Sequence, residues 1–345
     1  MPNIDMDVCR DWIADAMRGA GASDAQATSV AWGLVEAEAG GISTHGIVRT
    51  LQYVETAQAG KVTADAVPED VPGDDGRLLI DARGGYGFLP MRDLVDRLVE
   101  RARERGVAMG AVRNSHHYGA GWLYASRIAR AGLGAFVMTN ASANLAGPGA
   151  TSAVMGNNPL SIAMPGPEDL GPVVSDLAMS VVAQGHIRMA QRLGESIPEG
   201  WARDADGNPT TDADAALAAS LLEPIGGHKG FVIATLIELL GGAMTGSPFG
   251  RDAVNHARPE GGVGHFAIVF DPGRFLGPDV LEERVRTLHA QVVEAAGGAP
   301  EATMPGWREE ARRRAALADG LPVKDAILER LAVLDDLVGR PLATV

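Results

Sequence analysis

Apolar residues in the first 60 positions recur at intervals of three and four residues, which is the spacing of amphipathic helices. The first stripe consists of Val8, Trp12, Ile13 and Met17. A second helix is predicted to begin at Ser23, because serine is a favoured N-cap, and to end at Gly40-Gly41, because glycine readily adopts the left-handed cap conformation. A third helix is predicted from about Leu51 to Gly60.

Short apolar runs and helical stripes alternate through the rest of the chain. Strands are predicted at 78–82, 107–112, 134–138, 160–164, 173–176 and 265–270. Helices are predicted from Pro90 through the apolar stripe that follows it, and at 121–131, 181–193, 230–244, 279–296, 307–318 and 324–338. Segment 230–244 is apolar nearly all round, which predicts a buried helix, whereas 195–215 is polar and rich in turn residues.

This order of elements predicts an α/β fold in which helices from both ends of the chain pack together and strands concentrate between them. We expect a helical part at 1–70 and 280–345, and an α/β part at 71–279 that binds cofactor and substrate. The two parts are expected to form one continuous unit, since no low-complexity linker separates them.

The composition excludes several classes of function. Thirty Lys and Arg against 44 Asp and Glu give a net charge of −14, which disfavours electrostatic binding of nucleic acid or of a membrane surface. The single cysteine, Cys9, rules out an intrachain disulfide and a cysteine-based metal site, and no metal site is predicted. The acidic start is unlike a signal peptide, and no apolar run has the length of a membrane span. We therefore expect a soluble, cytoplasmic protein.

Nucleotide-binding and calcium-binding motifs are absent or broken. The nearest match to Gly-x-Gly-x-x-Gly, at 262–267, precedes a strand instead of joining a strand to a helix, so a Rossmann domain is not predicted. Asp204, Asp206 and Asn208 alternate as in an EF-hand. Pro209 stands where that loop requires glycine, which favours a polar turn instead.

Three histidine-containing segments are flanked by glycine and lie where predicted elements begin or end: Thr44-His45-Gly46 with Arg49, 114–119, and 226–230. Such positions commonly carry active-site residues, although any one of these histidines could be a surface or capping residue. Segment 226–230 could hold an anion at a helix N-terminus or be an ordinary helix start. Asp176 could be the buried partner of a catalytic histidine or a helix N-cap.

Taken with further segments in the same order, these residues resemble the type-2 malate/L-lactate dehydrogenases from about residue 5 to 340. Relatives in that family include ureidoglycolate dehydrogenases, 2,3-diketogulonate reductases, sulfolactate dehydrogenases and Δ1-piperideine-2-carboxylate reductases. The further segments are GNNP at 156–159, SDLAMS at 175–180, IPEGW at 197–201, DGNPTTD at 206–212 and MPG at 304–306. The resemblance implies NAD(P)-dependent hydride transfer on a non-Rossmann α/β fold of the sulfolactate dehydrogenase-like type. It also implies a mixed sheet with a bundle of N- and C-terminal helices, and a homodimer whose subunits together shape the site.

The resemblance further implies roles for individual residues. His45 is expected to donate a proton, with Thr44 and Asp176 completing a relay, while Arg49, His117 and Asn158 are expected to contact the substrate. The expected cofactor contacts are His117, Tyr118, Gly119, Asn140, Val174, Asp176, Leu177, Ala178, His228, Lys229, Met304, Pro305 and Gly306. Three positions depart from the family pattern: Thr44 stands in place of Ser, Asn157 in place of Thr, and Trp307 in place of an acidic residue.

These residue types suit the implied chemistry. Reduction of C=O or C=N leaves an atom that requires a proton, which a histidine can supply near neutral pH, and an arginine can hold the adjacent carboxylate. We expect NADPH or NADH, with NADPH favoured, to reduce a small anionic 2-oxo acid or a cyclic 2-imino acid such as Δ1-piperideine-2-carboxylate or Δ1-pyrroline-2-carboxylate.

Two details bear on the choice within this class. His116-His117 and His228-Lys229 favour the cyclic imino acid, while Arg188 and Arg192 could face the 2′-phosphate of NADPH or be solvated helix positions. Two alternatives remain open. One is oxidation of a malate-, lactate- or sulfolactate-like 2-hydroxy acid, and the other is a binding homologue with altered catalysis.

Overall fold

A computed structural model describes residues 2–73, 76–299 and 301–342 of the chain. Its strands are β1 (Asn3–Ile4), β2 (Glu69–Asp70), β3 (Leu78–Asp81), β4 (Val107–Ser115), β5 (Gly134–Thr139), β6 (Leu160–Met164), β7 (Val173–Leu177), β8 (Ala202–Arg203), β9 (Pro209–Thr210), β10 (Leu221–Leu222), β11 (Val263–Phe270) and β12 (Leu321–Pro322). All six strands that the apolar runs predict are present.

Seven of these strands form the central sheet, in the order β2-β3-β4-β11-β5-β6-β7. β3 and β4 are parallel, and every other neighbouring pair is antiparallel. β11 comes late in the chain but lies between β4 and β5, so the segment that precedes it returns to the middle of the sheet. The sheet is therefore mixed, as predicted, and unlike the parallel sheet of a Rossmann domain.

The helices are α1 (Met6–Gly19), α2 (Asp24–Ala39), α3 (Thr50–Gln58), α4 (Phe88–Arg105), α5 (Gly121–Arg130), α6 (Gln184–Leu193), α7 (Ala213–Ala219), α8 (His228–Ile237), α9 (Pro278–Ala295), α10 (Trp307–Asp319), α11 (Asp325–Leu331) and α12 (Asp335–Val338). Ser23 caps α2 as predicted, because its hydroxyl accepts a hydrogen bond from the backbone N–H of Gln26. The helix predicted at 324–338 is instead two short helices joined by a 3₁₀ turn.

The main core lies between the sheet and the helices of one face. α4 packs on β4 and β11, and α5 packs on β5, β6 and β7. The largest buried cluster joins Trp12 and Leu34 of the N-terminal helices to Val112 and Ala267 of the sheet. One core therefore crosses the predicted boundary between residues 70 and 71, and a division into two parts stays a prediction. Met1 and residues 343–345, which the predicted helical part includes, lie outside the described residues.

The two ends of the chain are tied together, as the sequence predicts. β1 pairs with β12, α10 packs on α2, and α12 packs on α1. Leu331 and Leu334 bring the C-terminal segment into the main core. α9 differs from its neighbours, because it has no buried residue in the described chain.

α8 continues into a π-helix at Glu238–Ala243 that lies over the second face of the sheet. Its inner side chains, among them Ala234 and Ile237, form a second core with Phe266 and Met138. Its outer apolar side chains are exposed: Val232, Ile233, Leu236, Leu239 and Met244. The prediction that this helix is buried all round is therefore wrong for the single chain.

A small lobe occupies residues 180–225 and has its own apolar cluster around Ile187, Ile197 and Leu222. β8, β9 and β10 form a three-stranded sheet in this lobe. The EF-hand-like stretch is the polar turn that was expected, since Asp204 accepts hydrogen bonds from the N–H groups of Asp206 and Asn208. α7 is a correction to the turn-rich interpretation of 195–215. None of the helices in the described residues has the length and apolar character to cross a membrane.

Candidate active site

His45 lies in a 3₁₀ turn, Ser43–His45, that follows the end of α2. The carboxylate of Glu38 fastens this turn by accepting hydrogen bonds from the Ser43 hydroxyl at 2.9 Å and the Ile47 N–H at 3.1 Å. A β-carbon at Gly46 would lie 2.0 Å from that carboxylate, so a larger residue here would displace the group that holds the turn. The Thr44 hydroxyl is 3.1 Å from His45 Nδ1, which leaves Nε2 as the nitrogen that can face a ligand.

Arg49 follows one turn later and faces the same space as His45. Its Nε donates to the carbonyl of Thr44, and its Nη1 donates to Gln52 Oε1 at 3.1 Å. Its positive charge lowers the pKa of His45, after the larger effect of burial, to about 3. His45 is therefore neutral around pH 7, and Arg49 retains donors for an anion.

His117, at the end of β4, places its ring against His45. The ring centroids are 5.4 Å apart and the planes differ by 16°. His117 Nδ1 accepts from the Gly119 N–H at 3.3 Å and from the hydroxyl of Tyr53, so its own proton is on Nε2. Burial and then the charge of Arg49 hold the pKa of His117 well below its usual range. The structure thus brings His45, Arg49 and His117 together.

Two further histidines, which the site prediction does not include, extend this group. His116 Nδ1 accepts from the backbone N–H of His256 at 3.0 Å, and His116 Nε2 donates to the carbonyl of Arg258 at 2.8 Å. His256 stacks on His116 at 5.8 Å and lies 5.8 Å from His117. Burial lowers the pKa of His116 to about 4 and that of His256 to about 3.

Tyr53 was missed as well. It lies four residues after Arg49, on the same side of α3, and that helical spacing is a signal that could have found it. His256 has no comparable signal, because it lies in an irregular loop and its ring neighbours are about 140 to 200 residues away in the chain.

Asp176, near the end of β7, is held by groups other than His45. Its Oδ1 accepts from the Ser161 hydroxyl at 2.7 Å, and its Oδ2 accepts from the Trp122 N–H at 3.1 Å, at the start of α5. The Asp176 side chain is exposed in the single chain, and its two hydrogen bonds stabilise the carboxylate form. The relay from Asp176 to His45 stays a prediction.

Tyr118 lies behind His117 and beside Asp176. Its ring stacks on His265 at 4.5 Å, and its buried hydroxyl lacks a hydrogen-bond partner in the described chain. Burial and the charge of Asp176 keep the pKa of Tyr118 well above its usual range. Tyr118 is therefore a neutral phenol. Gly119 supplies one of the hydrogen bonds to His117, by which it orients that ring.

A cavity of about 550 Å³ begins beside Ile42, the residue before the His45 turn. Six of the predicted cofactor contacts line it: Val174, Asp176, Leu177, Met304, Pro305 and Gly306. Gly306 has φ +87°, and a β-carbon there would lie 2.8 Å from the backbone nitrogen of Val174. The wall of this cavity thus depends on glycine, which suits close approach of a large ligand to the backbone.

Three other predicted cofactor contacts, Ala178, His228 and Lys229, lie near the end of β7. Ala178 follows β7, and the next residue, Met179, pairs with Ile225, so the start of α8 runs beside this strand end. His228 and Lys229 are exposed in the first turn of α8. They are adjacent to the cavity-lining segment but do not line the cavity itself.

Asn140 and Asn158 are fully buried in a network around Glu238. Asn158 donates to Glu238 at 2.7 Å and to the carbonyl of Ala234 at 2.9 Å, which uses both of its N–H donors. Asn140 donates to Glu238 at 3.0 Å and to the carbonyl of Pro248 at 3.0 Å. These hydrogen bonds fix the π-helix against β5 and β6, and contact of Asn140 or Asn158 with a ligand stays a prediction.

Comparison with known proteins agrees with the fold and the site. A sequence model of the malate/L-lactate dehydrogenase family matches residues 4–332. The chain is 37% identical over 320 residues to a (2R)-3-sulfolactate dehydrogenase (NADP+) of Chromohalobacter salexigens, covering 92% of this chain and 93% of that protein. It is 36% identical over 342 residues to a Δ1-pyrroline-2-carboxylate/Δ1-piperideine-2-carboxylate reductase of Pseudomonas aeruginosa, covering 97% and 99%.

Solved structures show the same architecture. The Δ1-piperideine-2-carboxylate reductase of Pseudomonas syringae superposes with a TM-score of 0.87 at 31% identity, over 97% of this chain and 100% of that one. The sulfolactate dehydrogenase of Methanocaldococcus jannaschii superposes with a TM-score of 0.86 at 26% identity, over 99% and 98%. This chain therefore belongs to the malate/L-lactate dehydrogenase family and is an NAD(P)-dependent oxidoreductase.

Proposed function

We propose that the chain uses NADPH to reduce a small cyclic 2-imino acid of the Δ1-pyrroline-2-carboxylate or Δ1-piperideine-2-carboxylate type. The observation that carries the proposal is the placement of His45 and His117 around the guanidinium of Arg49, next to a cavity that can hold a cofactor. Reductases of such acids are among the relatives, at 36% identity over nearly the full chain.

Arg49 holds the substrate carboxylate, since two of its five donors are engaged by Thr44 and Gln52 and three remain for an anion. His45 Nε2 then lies next to the imine nitrogen and delivers the proton that reduction requires. A bound nicotinamide cofactor supplies the hydride. An anion on Arg49 offsets the charge that lowers the pKa of His45, so substrate binding favours the protonated donor.

The cavity and the start of α8 both suit a dinucleotide. The cavity between Val174–Leu177 and Met304–Gly306 is large enough for part of it, and its wall is backbone with a required glycine. Lys229, in the first turn of α8, offers a positive charge and a helix N-terminus to a phosphate. NADPH is favoured over NADH because the sulfolactate dehydrogenase relative is specified for NADP+. The acidic, nearly cysteine-free composition supports a cytoplasmic location.

The same proposal includes a homodimer. The outer side of α8 and its π-helix exposes five large apolar side chains, and the face of the sheet exposes Val107 and Met109 of β4 and Phe136 of β5. An apolar surface of this extent marks an interaction site in a protein that must stay in solution. Sedimentation velocity should give twice the chain mass of 35.9 kDa, and Leu236→Lys with Leu239→Lys should shift the protein to monomer.

The test of the function is a substrate and cofactor screen. Δ1-pyrroline-2-carboxylate, Δ1-piperideine-2-carboxylate, pyruvate, oxaloacetate and 3-sulfopyruvate are each assayed with NADPH and NADH. We expect the highest kcat/KM for a cyclic imino acid with NADPH, and we expect His45→Ala to lower kcat by about 100-fold or more. Wild-type turnover by His45→Ala would overturn the proton-donor assignment.

The screen also separates the alternatives. A preference for 3-sulfopyruvate would favour sulfolactate-like chemistry, which the 37% identity to a sulfolactate dehydrogenase supports as the second candidate. A protein that changes NADPH fluorescence on mixing but turns over none of the acids would be a binding homologue.

A further inference from the structure

We infer that His256 is a substrate-binding residue, whose ring N–H donates a hydrogen bond to the carboxylate that Arg49 holds. The inference rests on the proposed function and names a contact that neither the sequence pattern nor the relatives assign. Buried polar atoms without a hydrogen-bond partner are concentrated around His256. Nine buried side-chain nitrogen and oxygen atoms lack a protein partner in the described ranges, and four of them lie within residues 255–258.

Both ring nitrogens of His256 are among these four atoms. Buried polar groups in folded proteins are nearly always hydrogen-bonded, because an unmade bond costs the whole desolvation of the group. The contrast within this site is clear. His116 and His265, its buried neighbours, have both ring nitrogens within hydrogen-bonding distance of protein oxygens or N–H groups. A histidine left unpaired beside them has a partner outside the chain.

The backbone holds His256 in this position. Its φ is +55°, which side chains other than glycine seldom adopt, and its N–H is anchored on His116. On either side, Asn255 N–H donates to the Ser142 hydroxyl at 2.9 Å and the Arg258 carbonyl accepts from His116 at 2.8 Å. Main-chain hydrogen bonds thus hold the loop at 255–258 in place, while the ring of His256 makes no hydrogen bond. The strained backbone conformation lowers the stability of the fold, and it holds the His256 ring in a fixed place.

The surroundings of the ring identify its partner as an anion next to Arg49. His256 lies 5.4 Å from Tyr53 and 5.8 Å from His117, and the charge of Arg49 is among the causes that lower its pKa to about 3. His256 is therefore a neutral imidazole with one donor and one acceptor. Arg49 has given its Nε to Thr44, so it cannot grip a carboxylate through Nε and Nη2. The carboxylate then lies on Nη1 and Nη2, where each of its oxygens keeps a lone pair for a further donor. A half-turn about the Cβ–Cγ bond of His256 presents its N–H to one of these oxygens without moving the backbone.

The test compares His256→Phe with wild type. Phenylalanine keeps the ring against Tyr53 and His116 and removes both nitrogens. For the acid that wild type reduces best, we expect KM to rise about 10- to 100-fold, the range for losing one hydrogen bond to a charged group. The kcat and the KM for NADPH should change less than about threefold. His256→Asn, which tolerates positive φ and keeps an N–H donor, should recover part of the loss.

A binding measurement locates the contact without turnover. Pyrrole-2-carboxylate and pyrrole-2-carboxamide are titrated calorimetrically into the protein with NADP+ present. His256→Phe should weaken binding of the carboxylate about 10-fold or more and leave binding of the carboxamide unchanged. Equal weakening of both ligands, or none of either, overturns the inference. His265→Phe is the matched control for stability, since it removes two bonded nitrogens and should lower the unfolding midpoint more than His256→Phe, which loses no hydrogen bond of the ring and adds only the strain of phenylalanine at φ +55°.

The inference and the proposed function fail in different ways. If wild type reduces none of the acids with either cofactor, the function is wrong, whatever the variant does. If wild type is an imino acid reductase and His256→Phe has the KM of wild type, the function stands and the role of His256 is wrong.

Discussion

The neutral histidines of the site predict that the fold loses stability in weak acid. Three of them, His45, His256 and His265, have pKa values lowered from 6.5 to about 3, and that of His116 is lowered to about 4, in each case chiefly by burial. In the unfolded chain these groups return to about 6.5, so the unfolded state binds more protons than the folded state below that pH. Their contribution to stability is complete above about pH 6.5 and is lost as the pH falls toward 4.

The magnitude follows from the same values. At pH 5.5 a histidine with an unfolded pKa of 6.5 and a folded pKa near 3 disfavours the folded state by about 1.4 kcal/mol. Four such groups give about 5.6 kcal/mol as an upper figure, which is a large share of a typical free energy of unfolding of ~5–15 kcal/mol. Most carboxylates stay ionised at pH 5.5, so this loss precedes ordinary acid denaturation.

Urea unfolding at pH 7.5, 6.5, 6.0 and 5.5 measures this loss directly. His256→Asn removes one of the four groups at a position whose φ asparagine tolerates, so the drop between pH 7.5 and 5.5 should shrink by about 1.4 kcal/mol. Val269→Ala, a cavity variant on β11, should lower the free energy of unfolding equally at every pH. A wild-type curve that is flat down to pH 5.5, or a His256→Asn curve parallel to it, would refute the reasoning.

Three other substitutions test the glycine in the cavity wall and two buried polar contacts of the fold. Gly306→Ala places a methyl 2.8 Å from the Val174 nitrogen at φ +87°. The Kd for NADPH, measured by fluorescence titration, should therefore rise about 10-fold or more. Gly297→Ala is the control, because Gly297 lies at φ +62° in open space, and it should leave this Kd unchanged. Glu310→Gln removes the buried carboxylate that pairs with Arg130 at 2.9 Å, so urea unfolding should show a loss of about 3 kcal/mol, and an unchanged midpoint would contradict that pairing. Asn158→Asp puts a second carboxylate 2.7 Å from buried Glu238, so the free energy of unfolding should fall by about 3 kcal/mol or more at pH 7.5, and a loss below 1 kcal/mol would mean the network is open to water.

The elements of this fold were largely predictable because their signals are local. The run at 78–82 is apolar and bounded by turn residues. Ser23 caps the start of α2, and Gly41, at φ +78°, adopts the left-handed conformation that ends it. α7 also had a local signal, since Asp212 caps it by accepting from the N–H groups of Asp214 and Ala215, and the alanine-rich run that follows is helical in preference. The polar turn residues that directly precede α7 obscure this signal in the sequence.

The sequence is least informative where the surroundings of a side chain are formed by residues far away in the chain. The apolar surface of α8 indicates burial, but the sequence does not say whether the cover is the same chain or another, and the single chain covers one side of it. Asn158 belongs to a recognisable segment, yet its amide is used up by Ala234 and Glu238, about 80 residues away. His256 owes its role to rings from α3 and the end of β4, and no pattern around residue 256 indicates those contacts.

The opposition between a net charge of −14 and an anionic substrate is resolved by the state of the histidines. Burial is the main cause that keeps His45, His116, His117 and His256 uncharged. The charge of Arg49 contributes to the lowered pKa of His45, His117 and His256, whereas His116 is affected by Arg258 and Glu260. A carboxylate beside Arg49 is attracted in a poorly solvated place, where a charge interaction is stronger than at the acidic surface. Once seated, it offsets the charge of Arg49, which is the smaller of the two causes that lower the pKa of His45. In the proposed mechanism, the residue that binds the substrate thereby also favours protonation of the donor, and the general acidity of the chain acts outside the site, on solubility and on the approach of ligands.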